Sequence, residues 1–213
     1  MAIRYAETWN VPKRPAPPAP IAHAREVFDA AACARVLEIG EDCPWVTASP
    51  SYDAGSLNAL ASRTGKARWI PKTEASAWIY DRMVTVIDAA NEGIFHLPLR
   101  EIETLQLSRY SPGDRFDTHA DFGLLHATRL LSASVQLSDG ASYDGGDLEF
   151  LSAAYARTDG GHEVATWDGV LGAAARDQGT AVLFPAWVPH RVTQVQRGDR
   201  WSLVAWVRGD PFT

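Results

Sequence analysis

Four side chains in the second half of the chain carry the chemistry. His119 and Asp121 stand two apart, His190 follows far downstream, and Arg200 comes ten residues after it. Two imidazoles and one carboxylate on one face of an Fe(II) ion leave three coordination positions open, the arrangement that non-haem iron oxygenases require. In a β-strand, residues i and i+2 point the same way, so His119 and Asp121 can converge on one ion while Ala120 faces away. A guanidinium holds a carboxylate through two parallel charge-assisted bonds, so Arg200 suits the distal carboxylate of a dicarboxylic cosubstrate. By the same alternation Ser202 shares its face. The set points to an enzyme with an oxidising metal.

The His-x-Asp pair alone would prove little. Six His among 26 acidic residues in 213 positions give about 0.7 chance matches to His-x-Asp/Glu. Taken singly, His190 reads as a hydrogen-bonded core histidine and Arg200 as a turn charge beside Asp199. The surroundings decide between the readings. Residues 107–123 run Leu-Ser-Arg-Tyr-Ser-Pro-Gly-Asp-Arg-Phe-Asp-Thr-His-Ala-Asp-Phe-Gly, and Leu183-Phe184-Pro185 leads through His190 and Arg200 to Trp206-Val207.

These stretches resemble the prolyl-4-hydroxylase-like branch of the 2-oxoglutarate/Fe(II) oxygenases over residues 25–208. In that branch a Tyr-x-x-Gly turn leads into His-x-Asp, and a distal His precedes an Arg by ten residues. The resemblance implies Fe(II) on His119, Asp121 and His190, with no catalytic residue beyond these ligands. It implies 2-oxoglutarate with its C5 carboxylate on Arg200, Tyr110 against the cosubstrate and Ser202 as a helper. Oxygen would be consumed and succinate and carbon dioxide released as an aliphatic C–H bond is hydroxylated, with ascorbate as a supporting reductant. Asp121 favours hydroxylation, since related halogenases replace this carboxylate with a small residue. Gly145-Gly146-Asp147-Leu148 matches the family's strand entry, where glycine admits the turn.

Two other readings share the fold. A nucleic-acid dealkylating oxygenase would carry a second Arg six residues after the first, where this chain has Trp206. A non-catalytic jelly-roll binding module would have lost ligands, and all four residues are kept. The substrate is expected to be a small molecule or peptide: a free amino acid, a prolyl-type peptidyl residue or a metabolite. Trp167, Trp69 and Gln106 are the candidate contacts.

The elements must bring these residues together. A chain of 213 residues with 46% hydrophobic and 22% charged residues is ordinary for one globular domain. We expect a Pro-rich arm over 1–24 and one oxygenase domain over 25–213, with residues 10–20 extended because five prolines fall there. Helices are expected over 29–40, capped by Asp29 and stopped by Gly40, and over 74–90, where Ile79, Met83 and Ile87 form a stripe. After Pro98 the period becomes two. In 129–138, Leu131, Ala133, Val135 and Leu137 alternate with Ser132, Ser134, Gln136 and Ser138, giving one core face and one polar face. Further strands are expected at 102–110, 147–151, 180–184, 191–195 and 201–207. The fold class is α+β and mainly β: a double-stranded β-helix, or jelly roll, with supporting N-terminal helices. Residues 152–178 show no clear period and read as an insertion or lid. Trp69, Trp78, Trp201 and Trp206 are expected in the core.

A net charge of −6 disfavours nucleic acid as a partner. Cys33 and Cys43 fit neither a metal finger nor a disulfide framework and read as inert thiols. No apolar leader or membrane span is visible, so the expected location is the cytoplasm, away from membranes.

Overall fold

The computed structural model describes residues 21–46, 62–123, 126–157 and 163–210. Helix α1 spans Ala30–Glu41, and the Asp29 carboxylate accepts the Ala32 N–H at 2.7 Å. Gly40 lies inside the helix rather than ending it. A Cβ there would sit 2.3 Å from the Leu107 side chain, so this glycine is needed for close helix–sheet contact. Helix α2 spans Ala77–Ala90, starting three residues later than the periodicity suggests. The preceding turn takes those residues: Ser76 donates its hydroxyl to Pro71 O at 2.6 Å and accepts from Thr73 N at 2.8 Å. The chain then continues through one π turn, Asn91–Phe95.

Among the described residues there are fourteen strands, in chain order β1 Ala22–Ala24, β2 Trp45–Val46, β3 Lys66–Ile70, β4 Leu99–Ile102, β5 Leu105–Tyr110, β6 Phe116–His119, β7 Arg129–Gln136, β8 Asp144–Gly145, β9 Leu148–Arg157, β10 Glu163–Ala173, β11 Ala181–Pro185, β12 His190–Val192, β13 Val195–Arg197 and β14 Arg200–Gly209. The larger sheet has the order β1-β11-β7-β14-β5-β3-β2, with β4 also on β14, and the smaller has β10-β9-β12-β6. This is the jelly roll that the period-two segments imply.

Three expectations need correction. The segment 102–110 is two strands, β4 and β5, both paired to β14. The arm does not run to residue 24, because Ala22–Ala24 pairs with Ala181–Leu183 at the edge of the larger sheet. Residues 152–178 are not an aperiodic insertion: β9 and β10 form a long antiparallel pair, from Glu149↔Ala173 to Arg157↔Glu163. Register shifts at Thr166/Gly169 and Val170/Gly172 interrupt the alternation, which is why the period could not be read.

Two apolar layers hold the elements. On one side of the larger sheet, Leu107, Leu131, Ala133, Val135, Leu183 and Leu203 pack with Cys33, Val36, Ile79, Met83 and Ile87 of the helices. Tyr80 ties α2 down further, donating its hydroxyl to Ile70 O at 2.7 Å and accepting from Leu105 N at 3.1 Å. The second layer includes Phe150, Val182, Phe184 and Val192 and fills the space between the sheets. The serine face of β7 is buried as well: it looks into the jelly roll and not into solvent. Cys33 is buried and its thiol is pushed up to about 11 by burial and by Asp29, as an inert cysteine should be. Among the described residues no helix is long and apolar enough to cross a membrane.

Candidate metal centre

The smaller sheet sets two imidazoles side by side. His119 ends β6 and His190 opens β12, and antiparallel pairing makes them direct register partners, with ring centroids 4.2 Å apart. Asp121 is held just beyond the strand, where the N–H groups of Asp121 and Phe122 both donate to Ala186 O, at 2.9 and 3.0 Å. Its carboxylate thereby reaches the pair: Oδ1 lies 3.9 Å from His119 Nε2, and Oδ2 lies 3.6 Å from His190 Nε2. One ligand atom from each residue can be chosen with all three within 4.8 Å of one another.

The residues around the triad orient it. His119 Nδ1 lies 2.9 Å from Asp117 O, and His190 Nδ1 lies 2.9 Å from Val188 O. A carbonyl only accepts, so each Nδ1 carries the proton and each Nε2 presents its lone pair to the centre. Burial and the neighbouring His190 push the His119 pKa down to about 3, so the imidazole is neutral and able to coordinate across the physiological range. For Asp121 burial alone would raise the pKa, but both imidazoles, the Ser132 hydroxyl donating at 2.6 Å and the Arg129 charge hold it below the usual carboxylate value. Three buried donors, two nitrogen and one oxygen, fit a divalent first-row metal with open positions.

A pocket opens beside the triad, with about 460 Å³ of empty space when the solvent at its mouth is included. Its wall is the inward face of β5 and β14, including Gln106, Ser108 and Tyr110 from one and Arg200, Ser202 and Trp206 from the other. Arg200 is 4% exposed and has no carboxylate partner among the described residues, although nine other arginines do. It is the register partner of Tyr110, its guanidinium carbon lies 5.9 Å from that ring, and Nη1 reaches Ser202 Oγ only at 3.5 Å. A buried cation with so little bonding fits an incoming carboxylate. Gly145 and Gly146 close this end with φ of +70° and +64°, and a Cβ on Gly146 would lie 3.2 Å from the Arg200 side chain.

The candidate substrate contacts divide. Gln106 lies in the pocket; Trp69, its register partner on β3, does not line it and is 36% exposed, 5.9 Å ring to ring from Trp206. Trp69 is therefore not core. Trp206 is buried but lines the pocket, while Trp78 and Trp201 pack against the helix-side core as expected. The Trp167 side chain lies outside the described residues. The sequence reading missed Arg63, which lines the pocket from a single β-bridge to Phe116 and has no motif around it.

Fold and site together define a non-haem iron oxygenase. The 2OG-Fe(II) oxygenase superfamily matches residues 105–208. A PKHD-type hydroxylase of Burkholderia thailandensis is 30% identical over 197 residues, covering 88% of this chain and 72% of the relative. A PKHD-type hydroxylase of Rhizorhabdus wittichii is 36% identical over 123 residues, covering 53% of this chain and 45% of the relative. Among solved structures, a Pseudomonas putida prolyl-4-hydroxylase superposes with a TM-score of 0.61 at 22% identity, covering 91% of this chain and 94% of its own. A Trichoplax adhaerens prolyl hydroxylase in complex with a hypoxia inducible factor peptide fragment gives 0.63 at 15% identity, covering 89% and 83%. The chain belongs to the 2-oxoglutarate/Fe(II)-dependent oxygenases, in their prolyl-4-hydroxylase-like branch. It is a hydroxylase that uses Fe(II) and 2-oxoglutarate.

Proposed function

We propose that His119, Asp121 and His190 hold the Fe(II), that Arg200, with Tyr110 and Ser202, holds the distal carboxylate of 2-oxoglutarate, and that the enzyme hydroxylates an aliphatic C–H bond of an amino acid, a peptidyl residue or a small metabolite. The observation that carries this reading is the presence in one pocket of a converged His-Asp-His set and a buried arginine with no carboxylate partner among the described residues. Bound together, iron and cosubstrate supply the oxidation, in which oxygen is consumed, 2-oxoglutarate becomes succinate and carbon dioxide, and the substrate gains a hydroxyl.

The protein's own part is placement. Asp117 O and Val188 O fix the two tautomers, and Ser132 fixes the carboxylate rotamer, so the donors need not reorganise when metal arrives. Arg200 would hold the distal carboxylate of the cosubstrate and the metal held by His119, Asp121 and His190 would take its other end, which would fix its direction in the pocket. Leu148, Phe184 and Val192 line the remaining wall with hydrocarbon, limiting water beside a reactive centre.

Anaerobic addition of 2-oxoglutarate to the Fe(II) protein tests the assignment. A weak visible metal-to-ligand charge-transfer band is expected, lost in His190→Ala and shifted to much higher 2-oxoglutarate concentration in Arg200→Ala. A full-strength band at unchanged cosubstrate concentration in either variant removes that residue from the site.

A further inference from the structure

The pocket holds a second guanidinium that the cosubstrate reading does not use. Arg63 belongs to no regular strand, yet it is tied to β6 over a short ladder: it bridges Phe116, Thr64 N donates to Arg115 O at 3.1 Å, Arg115 N donates to Thr64 Oγ1 at 2.9 Å, and Asp117 N donates to Ser62 O at 3.0 Å. The guanidinium is thus fixed relative to the strand that ends in His119. Its carbon lies 5.3 Å from the Phe116 ring, and that ring stacks on His119 at 3.5 Å.

The partners of Arg63 are neutral and incomplete. Nη1 donates to Gln106 Oε1 at a long 3.3 Å, Nη2 donates to Ser108 Oγ at 2.9 Å, and Nε is buried with no acceptor among the described residues. No carboxylate pairs with it among the described residues. A second buried donor in the same pocket, the indole N–H of Trp206, is also without an acceptor among the described residues. Unpaired donors of this kind are costly unless a ligand brings oxygen to them.

Charge points the same way. Fe(II), Arg63 and Arg200 would bring four positive charges, whereas Asp121 and 2-oxoglutarate would bring three negative ones. The loaded site keeps one positive charge, and the cation left without a counterion is Arg63. A substrate offering only amide carbonyls would leave that charge without a counterion in the pocket.

We propose that the molecule oxidised at this site carries a carboxylate that pairs with Arg63 and accepts from the Trp206 N–H. The proposal rests on the iron and cosubstrate assignment above. It names carboxylic acids, free or as an acidic side chain in a peptide, as the substrate class.

The test uses the Fe(II)·2-oxoglutarate protein without oxygen and follows the charge-transfer band, which shifts when a substrate displaces water near the metal. The probes are free α-amino acids and short monocarboxylic acids, each beside its carboxamide, and glycine-flanked peptides carrying Asp or Glu beside the same peptides carrying Asn or Gln. At least one acid is expected to shift the band where its amide does not. Arg63→Gln should weaken that response about tenfold or more, with Arg63→Lys between it and the parent, while half-saturation by 2-oxoglutarate stays unchanged. A response from free acids identifies a small molecule, and one from acidic peptides alone identifies a peptidyl side chain. The proposal is overturned if amides bind as well as acids, if no acid shifts the band, or if Arg63→Gln instead raises the 2-oxoglutarate requirement, which would make Arg63 a cosubstrate residue. If the parent protein shows no band at all, the iron assignment itself fails and this inference goes with it.

Discussion

The two faces of the larger sheet are built from the same strands and do opposite work. Along β14, Leu203, Ala205 and Val207 point toward the helices, while Arg200, Ser202 and Trp206 point into the jelly roll. β5 divides likewise, Leu105 and Leu107 against Gln106, Ser108 and Tyr110, and both faces are almost wholly buried. Burial is therefore not what separates them. One face is closed by hydrocarbon; the other holds polar groups at fixed spacing whose hydrogen-bonding capacity is left partly unused among the described residues.

Substitutions on either face can break this division. The largest effect is expected from the proposed metal donors: Asp121→Ala and His190→Ala should each abolish hydroxylation while leaving a cooperatively folded chain, checked by Fe(II) titration and thermal melting. Turnover near the parent rate in either would contradict the division. Next comes Arg200→Ala, which should cost about 2–5 kcal/mol of cosubstrate binding because the carboxylate loses its buried partner. A 2-oxoglutarate titration reads it directly.

On the helix side the expectation inverts. Leu131→Ala removes a fully buried side chain and should destabilise the fold by about 2–5 kcal/mol, measured by urea unfolding, with activity per folded molecule preserved. If it instead spared stability and damaged cosubstrate binding, the two faces would not be separable.

Glu103 sharpens the boundary. It receives two bonds from Arg129, at 2.8 and 2.7 Å, and one from Arg208 at 2.8 Å, and Arg129 in turn lies 4.2 Å from the Trp206 ring. Burial alone would raise the Glu103 pKa, but these two arginines hold it below its ordinary value. Its stabilising contribution is therefore complete above the unfolded carboxylate pKa and is lost as pH falls through the depressed folded value. Glu103→Gln should cost about 3 kcal/mol near neutral pH and flatten the acid limb of stability against pH, followed by urea midpoints. An unchanged acid limb would show that other carboxylates set it. The smallest effect belongs to Ser202→Ala: at 3.5 Å from Arg200 its hydroxyl is at the limit of bonding, so a change of about 1 kcal/mol or less in cosubstrate affinity is expected.

Much of this was legible before the structure. The alternation in β7 announced two faces, and the spacing of His119, Asp121, His190 and Arg200 marked four residues that the fold brings into one pocket. Period two shows that a face is polar but not whether it meets solvent or a cavity; the serines of β7 were polar because they line the interior. Arg63 was invisible because its position depends on one bridge between segments 53 residues apart, with no repeat or motif to mark it. The β9–β10 pair was hidden by its bulges, and the Ala22–Ala24 strand by its three-residue length beside a proline-rich stretch.

The direct pairing of His119 with His190 makes the centre a gauge of strand alignment. A slip of one residue between β6 and β12 would turn one imidazole to the opposite side of the sheet. A refolding chain can therefore recover every strand and still bind no iron if this single pairing is offset. Deleting or inserting one residue inside either strand should then be far more damaging than changing the length of the connection between β9 and β10, which holds none of the four residues. Iron capture during refolding would report alignment and not merely compactness, marking the moment when two distant stretches of chain have matched to the residue.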